Sequence, residues 1–238
     1  MLTRRHTVDV PTARTGTHPG VEADRLYRFY RAGEEETLAL QGVSMWCSRG
    51  EIVAVTGPSG SGKSTLLSCL AGLEEPSGGT VRICGERLSH RSEAERARLR
   101  ARHVGVLYQS GNLLPHLRVV DNIRLVRSLP TRRLRAGPVQ PHALLDEVGI
   151  AARAAAWPDQ LSGGEAARAG LAVALANDPD VLIADEPTGE LDAASERGIL
   201  DLLTRRARAG SAVVVASHSR YVAAAADHVL TLVDGVRQ

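Results

Sequence analysis

The run Gly57-Pro58-Ser59-Gly60-Ser61-Gly62-Lys63-Ser64-Thr65 has the residue types and spacing of a phosphate cradle. Gly57, Gly60 and Gly62 let the backbone curl so that successive N–H groups point inward as an anion nest. The apolar stretch Glu51–Thr56 before the run reads as a buried strand, and Ser64–Gly72 after it reads as a helix closed by Gly72. A helix beginning near Lys63 adds its positive end to the nest. In that setting Lys63 reaches the β and γ phosphates of a nucleotide, and the Ser64 hydroxyl binds Mg²⁺. Lys63 is also the chain's one lysine among 29 basic residues, the others all being arginine. Arginine is a wide planar fork, whereas lysine is a compact charge on a thin stem. Only the second fits inside a tight backbone cradle.

Val181-Leu182-Ile183-Ala184-Asp185-Glu186 places two carboxylates at the C-terminal end of a second buried strand. Open parallel sheets bind ligands at that end. Asp185 is suited to hold Mg²⁺ through water and Glu186 to polarise an attacking water as general base. Two acids capping the next loop are the plainer alternative. The third run is Leu161-Ser162-Gly163-Gly164-Glu165. Ser162 and Glu165 have the spacing of a capping box for the helix that follows. That alternative leaves two glycines in the first turn unexplained, where they weaken the helix. Bare backbone there exposes N–H groups and makes a second phosphate site.

With these runs in this order, the chain resembles the ATP-binding cassette (ABC) ATPases over nearly everything after residue 23. The resemblance implies bound ATP and Mg²⁺, with residues 57–65 as the Walker A loop and Asp185-Glu186 as Walker B. It implies that Tyr30 stacks on adenine. Gln109 is implied to touch Mg²⁺ and to link to a helical subdomain, and His218 to contact the γ-phosphate. Gly189-Glu190-Leu191-Asp192 resembles the D-loop. Ser162, Gly163 and Gly164 resemble the signature motif, which in this family caps ATP held by a second cassette. A second ABC ATPase subunit, of the same or another kind, is therefore an implied partner. Asn112-Leu113-Leu114-Pro115 and Ala184-Asp185-Glu186-Pro187-Thr188-Gly189 resemble the lipoprotein-release and macrolide-export group. Ala166-Ala167, Glu190 and Ser219 depart from the family pattern without removing a catalytic group.

The elements that must position these residues follow from the pattern. Leu26–Tyr30, Thr37–Leu40 and Val43–Cys47 read as short antiparallel strands. Val81–Cys84, Val104–Leu107, Val181–Ala184, Ala212–Ser217 and Val229–Val233 read as further strands. Ser92–Arg102, Gly163–Ala176, Ala193–Ala209 and Arg220–Ala226 read as helices. The expected fold is α/β, a P-loop core of mostly parallel sheet with an antiparallel part and a helical subdomain at about 110–165. Residues 1–22 lack an apolar period and read as a disordered leader ahead of one domain, 23–238.

Composition narrows the function. A net charge of +2 and 3% aromatic residues supply neither a basic field nor stacking surfaces, so no nucleic-acid partner is expected. No apolar run approaches a membrane span, which predicts a cytoplasmic location. Cys47, Cys69 and Cys84 lack metal-ligand spacing and read as small core residues. The resemblance then implies separate membrane permease subunits, reached through the groove beside Gln109. Leu113, Leu114 and Leu117 are candidates for that contact or for the insertion's own core. Force transmission to a membrane partner without transport is the alternative role. A soluble ABC protein of DNA repair or translation is a further one, from which the chain differs in having neither a long coiled-coil insertion nor two cassettes.

Overall fold

The computed structural model describes residues 19–32, 35–129, 140–189 and 191–238. Residues 1–18 of the expected leader, Pro130 and Pro138, and Glu190 of the D-loop run lie outside the described residues. Val21 and Glu22, placed in the leader by composition, belong to a strand.

Two sheets form the framework. The first has four strands, ordered β2-β1-β4-β5, from β1 (Val21–Ala32), β2 (Glu35–Cys47), β4 (Gly78–Ile83) and β5 (Glu86–Arg87). All its pairings are antiparallel. The separate strands expected at Thr37–Leu40 and Val43–Cys47 are one continuous strand. Gly42, at φ 70°, stands between them and reads as a turn, but the register against β1 carries bulges there instead.

The second sheet has six strands, ordered β10-β9-β3-β8-β7-β6. They are β3 (Ile52–Thr56), β6 (Val104–Leu107), β7 (Val181–Asp185), β8 (Ala212–Ala216), β9 (His228–Val233) and β10 (Val236–Arg237). All pairs are parallel except β10 on β9. Alternate residues of its central strands enter two different cores. Val53, Val55, Ile183, Val214 and Ala216 join the core shared with the antiparallel sheet and α1 (Lys63–Leu70). Ala54, Leu182, Ala184, Val213 and Val215 join the core under the helices. A strand buried on both faces has no polar side to show, hence the unbroken apolar runs.

The helical core is closed by α3 (Val119–Ser128), α4 (Pro141–Glu147), α5 (Gly163–Ala174), α6 (Ala193–Arg208) and α7 (Arg220–Ala225). Between α4 and α5 lie two short 3₁₀ turns, Ala151–Arg153 and Pro158–Gln160. The charged helix α2 (Glu93–His103) starts on a full Ser92–Glu95 capping box, and Arg96 and Arg100 both pair with Glu93.

Sheet order does the positioning. The strands β3, β8, β7 and β6 lie side by side, with Val55 opposite Ala216, Ala216 opposite Asp185, and Ala184 opposite Leu107. The loops that follow these four strands therefore emerge together at one edge. They carry Lys63, His218, Glu186 and Gln109 respectively.

Candidate active site

That edge opens into a cleft of about 540 Å³ lined by Ser59, Gly60, Lys63, Ser64, Gln109, Asp185, Glu186, Gly189 and His218. The glycine loop is shaped as its residues require. Gly57 (φ 142°) and Gly62 (φ 97°) hold conformations that L side chains rarely adopt. A Cβ at Gly57 would lie 2.0 Å from the Leu232 carbonyl oxygen, and one at Gly62 2.4 Å from that of Ala39. Gly60 faces open space, so only its φ of 78° calls for glycine. Lys63 is buried at 7% exposure and its Nζ donates to the carbonyls of Gly57 (2.8 Å) and Pro58 (2.9 Å). An ammonium group has three protons, so two tie the loop shut and one remains for an anion. The Ser61 N–H donates to Pro58 O at 3.3 Å, and the buried Ser61 Oγ has no hydrogen-bond partner.

Asp185 closes β7, and Glu186 follows it at φ 49°, a strained conformation for a side chain of this size. The Glu186 N–H donates to Ala216 O at 2.9 Å, which locks that conformation to the neighbouring strand. Its Oε2 accepts from the buried Ser217 hydroxyl at 3.2 Å. Its Oε1 is buried without a hydrogen bond and lies 3.5 Å from His218 Nε2. One carboxylate oxygen is thus committed to the scaffold and the other is free for chemistry. Behind them, Ser219 donates to Glu196 Oε1 at 2.6 Å, and Thr188 donates to the same atom at 3.2 Å. Ser219 also accepts from the Tyr221 N–H and so caps α7.

Gln109 stands exposed at the mouth, in a loop folded by Asn112. The Asn112 side chain accepts from Tyr108 N–H (2.8 Å) and donates to Tyr108 O (2.7 Å). That loop sits against Gly170 of α5, where a Cβ would meet Asn112 Cβ at 2.6 Å. Beside the cleft is a recess of about 250 Å³ between this loop and α5, and Gln109 and Glu186 line both spaces. Leu113 packs against the helical core, Leu117 is half-buried, and Leu114 is exposed at 41%.

Tyr30, Ser162, Gly163 and Gly164 do not line the cleft. Tyr30 is tied to its rim: its hydroxyl donates to Glu74 Oε2 at 2.5 Å and lies 3.5 Å from Thr65 Oγ1. The Arg28 guanidinium sits 4.7 Å over its ring. The plainer alternative at the third run is present in full. Ser162 accepts from Glu165 N–H at 3.3 Å, and the Ser162 N–H donates to Glu165 Oε2 at 2.9 Å. That backbone donor, joined by Arg153 Nε at 2.8 Å, lowers the Glu165 carboxyl to about 2. Ser162 and Gly163 are nevertheless exposed, and Gly163 lines the recess beside Gln109.

Ser217 and Glu196 were invisible in the sequence, since their roles depend on β8 lying beside β7. The cysteine reading needs one change. Cys47 and Cys69 are buried, and burial pushes both thiols up to about 12. Cys84 is only partly buried and lies in the turn after β4, packed against the margin of the core.

Comparison with known proteins agrees with this arrangement. The ABC transporter family model matches residues 40–189. The lipoprotein-releasing system ATP-binding protein LolD of Xylella fastidiosa is 38% identical over 226 residues, 94% of this chain and 93% of that protein. The macrolide export ATP-binding/permease protein MacB of Burkholderia pseudomallei is 38% identical over 92% of this chain, which spans 34% of MacB. A dimeric structure of the ATP-binding cassette MJ0796 bound to ADP and Pi superposes with a TM-score of 0.84 at 32% identity. It covers 92% of this chain and 97% of that one. The glycine loop and the strand-end acid pair at one end of a parallel sheet, together with these relatives, place the chain in the ABC transporter ATP-binding family, as an ATP-hydrolysing cassette of that family.

Proposed function

We propose that the chain hydrolyses ATP as half of a composite site and drives a separate membrane permease. The observation that carries this reading is the contrast within one chain between a furnished cleft and an outward-facing signature turn. In the proposed dimer two cassettes pack head to tail. Ser162, Gly163 and Gly164 of one then cap the nucleotide held by the other's glycine loop. Residues 57–65 hold the triphosphate, Lys63 meets the β and γ phosphates, and Tyr30 at the rim stacks on adenine. Ser64, Asp185 and Gln109 offer hydroxyl, carboxylate and amide oxygens, a donor set that suits Mg²⁺. Bound there, Mg²⁺ would neutralise charge developing on the phosphate oxygens. Glu186 Oε1, the buried oxygen with no hydrogen bond, takes the proton of the attacking water. His218, beside Glu186 at the end of the neighbouring strand, orients the γ-phosphate.

Among the described residues no helix is long and apolar enough to cross a membrane. We infer attachment to the cytoplasmic face through the permease. The helices between Gln109 and the signature turn, about 110–165, form the subdomain that receives it. The exposed Leu114 and the recess beside Gln109 are the proposed contact. The names of the relatives point to the lipoprotein-release and macrolide-export kind of system. ATP binding closes the dimer and hydrolysis opens it, so the ligand selects between two global states. Glu186→Gln keeps the side-chain shape without the base, and should elute as a dimer on gel filtration with saturating MgATP. A persistent monomer under those conditions would count against the composite site.

A further inference from the structure

A second cluster of chemically capable side chains lies at the opposite end of the sheet from the cleft. Cys84 follows β4, His103 ends α2 and Asp180 precedes β7, beside the N-terminal ends of β6 and β7. One ligand-capable atom from each of Cys84, His103 and Asp180 lies within 4.8 Å of the other two. His103 is 5% exposed and Asp180 1%. The nucleotide reading uses none of the three.

Their hydrogen bonds are directional. His103 Nδ1 pairs with Asp180 Oδ2 at 2.7 Å. With the Nδ1 proton given to that carboxylate, Nε2 is the open nitrogen, and it is buried with no hydrogen bond. Glu86 Oε1 stands 3.6 Å from it. Two such ligands around a tetrahedral ion with bonds of about 2.1 Å stand about 3.4 Å apart. A ring nitrogen on one carboxylate, with its other nitrogen open 3.6 Å from a second, is how metal-ligating histidines are oriented, and the Cys84 thiol lies within 4.8 Å of the imidazole. Cys84 is held in place by a φ of 51° and by its N–H on Gly20 O at 2.8 Å.

We propose that Cys84 Sγ, His103 Nε2 and the Glu86 carboxylate bind a thiophilic divalent cation of the Zn²⁺ class, with Asp180 fixing the imidazole from behind. Thiolate, imidazole and carboxylate form the mixed set that Zn²⁺ accepts. Arg49 is the built-in competitor. Its Nη2 donates to Cys84 Sγ at 3.3 Å and pairs with Asp180 Oδ1 at 2.9 Å. At 38% exposure it can turn outward as the cation enters, keeping the Asp180 contact or giving it up to water. Arg102, 3.6 Å from Glu86 Oε1, is the other neighbouring cation and is more exposed. Three potential anions thus face two arginines, and a doubly charged ion suits them once either guanidinium withdraws.

The test is titration of the intact purified chain with Co²⁺ as a spectroscopic stand-in for Zn²⁺, with Mg²⁺ in excess to fill oxygen-only sites. Wild type should develop the thiolate-to-cobalt charge-transfer band stoichiometrically, and Cys84→Ser should lose it while keeping ATP turnover. Glu86→Gln should bind about tenfold more weakly, and Arg49→Gln should bind more tightly. No band in wild type, or an equal band in Cys84→Ser, overturns the site, whereas the ATPase reading stands or falls separately. Should Cys84→Ser fail to fold, wild type supplies the readout through Zn²⁺ protection of Cys84 against iodoacetamide, followed by peptide mass. Buried Cys47 and Cys69 serve as unreacted controls. Alkylation of Cys84 at the same rate with and without Zn²⁺ also overturns it.

Discussion

The glycine-loop cleft and the signature turn use the same physical device, bare backbone N–H groups at a helix start, and are finished to different degrees. At the first, Lys63, Ser64, Asp185, Glu186, Gln109 and His218 already share one space. Its internal polar ties leave chosen atoms free: one proton of Lys63, one oxygen of Glu186. At the second, the Ser162–Glu165 box satisfies the helix end locally, and the exposed backbone lies outside its own chain's cleft. On the proposed reading, the turn of a second chain completes the cleft.

The largest effect should come from Lys63→Ala. It removes the Lys63 ammonium from the cleft and with it the two ties that hold the loop. Turnover should fall by about a thousandfold or more, and a rate near wild type would remove the cleft from the account. Ser162→Ala sharpens the contrast, because the two roles of this residue have different readouts. The lost cap should cost about 1 kcal/mol in thermal or denaturant unfolding. Turnover should fall by about a hundredfold, with ATP binding to the isolated monomer intact. Loss of stability with unchanged turnover would leave the turn as a cap alone. Ser217→Ala leaves the base in place but frees its Oε2. Its turnover should drop by about tenfold, less than removal of a general base costs. Ser217→Thr should restore most of it, and an alanine variant as slow as Glu186→Gln would show that Ser217 does more than position.

Much of this was legible in the sequence because the chemistry is local there. The glycine loop is one contiguous run in which φ, close approach and charge all constrain the residue types. The central strands are buried on both faces, so their apolar runs stood out, and sheet order then placed four separate loops at one edge. What escaped was set by neighbours in space. Ser217 reads as a strand end until β8 is known to lie beside β7, whose end carries Glu186. Gly42 reads as a turn, yet β2 runs through it, with Gly42 itself as the extra residue of a bulge between Gln41 and Val43. Cys84 looks like a core residue from its apolar flank, but strand β4 ends one residue earlier and leaves the thiol beside Arg49. Leu113 and Leu114 are adjacent and chemically identical, and only packing sends one inward and leaves the other exposed.

Mixing two inactive variants tests the central claim most directly. One chain carries Lys63→Ala with its signature turn intact, and the other carries Ser162→Ala with its glycine loop intact. Each alone should show little turnover. If the site is built from two copies of this chain, mixing them restores one intact site per mixed dimer, and ATPase activity returns to a sizeable fraction of wild type. If each cleft works with its own chain's turn, the mixture stays at the sum of the two variants, and that result would contradict the account.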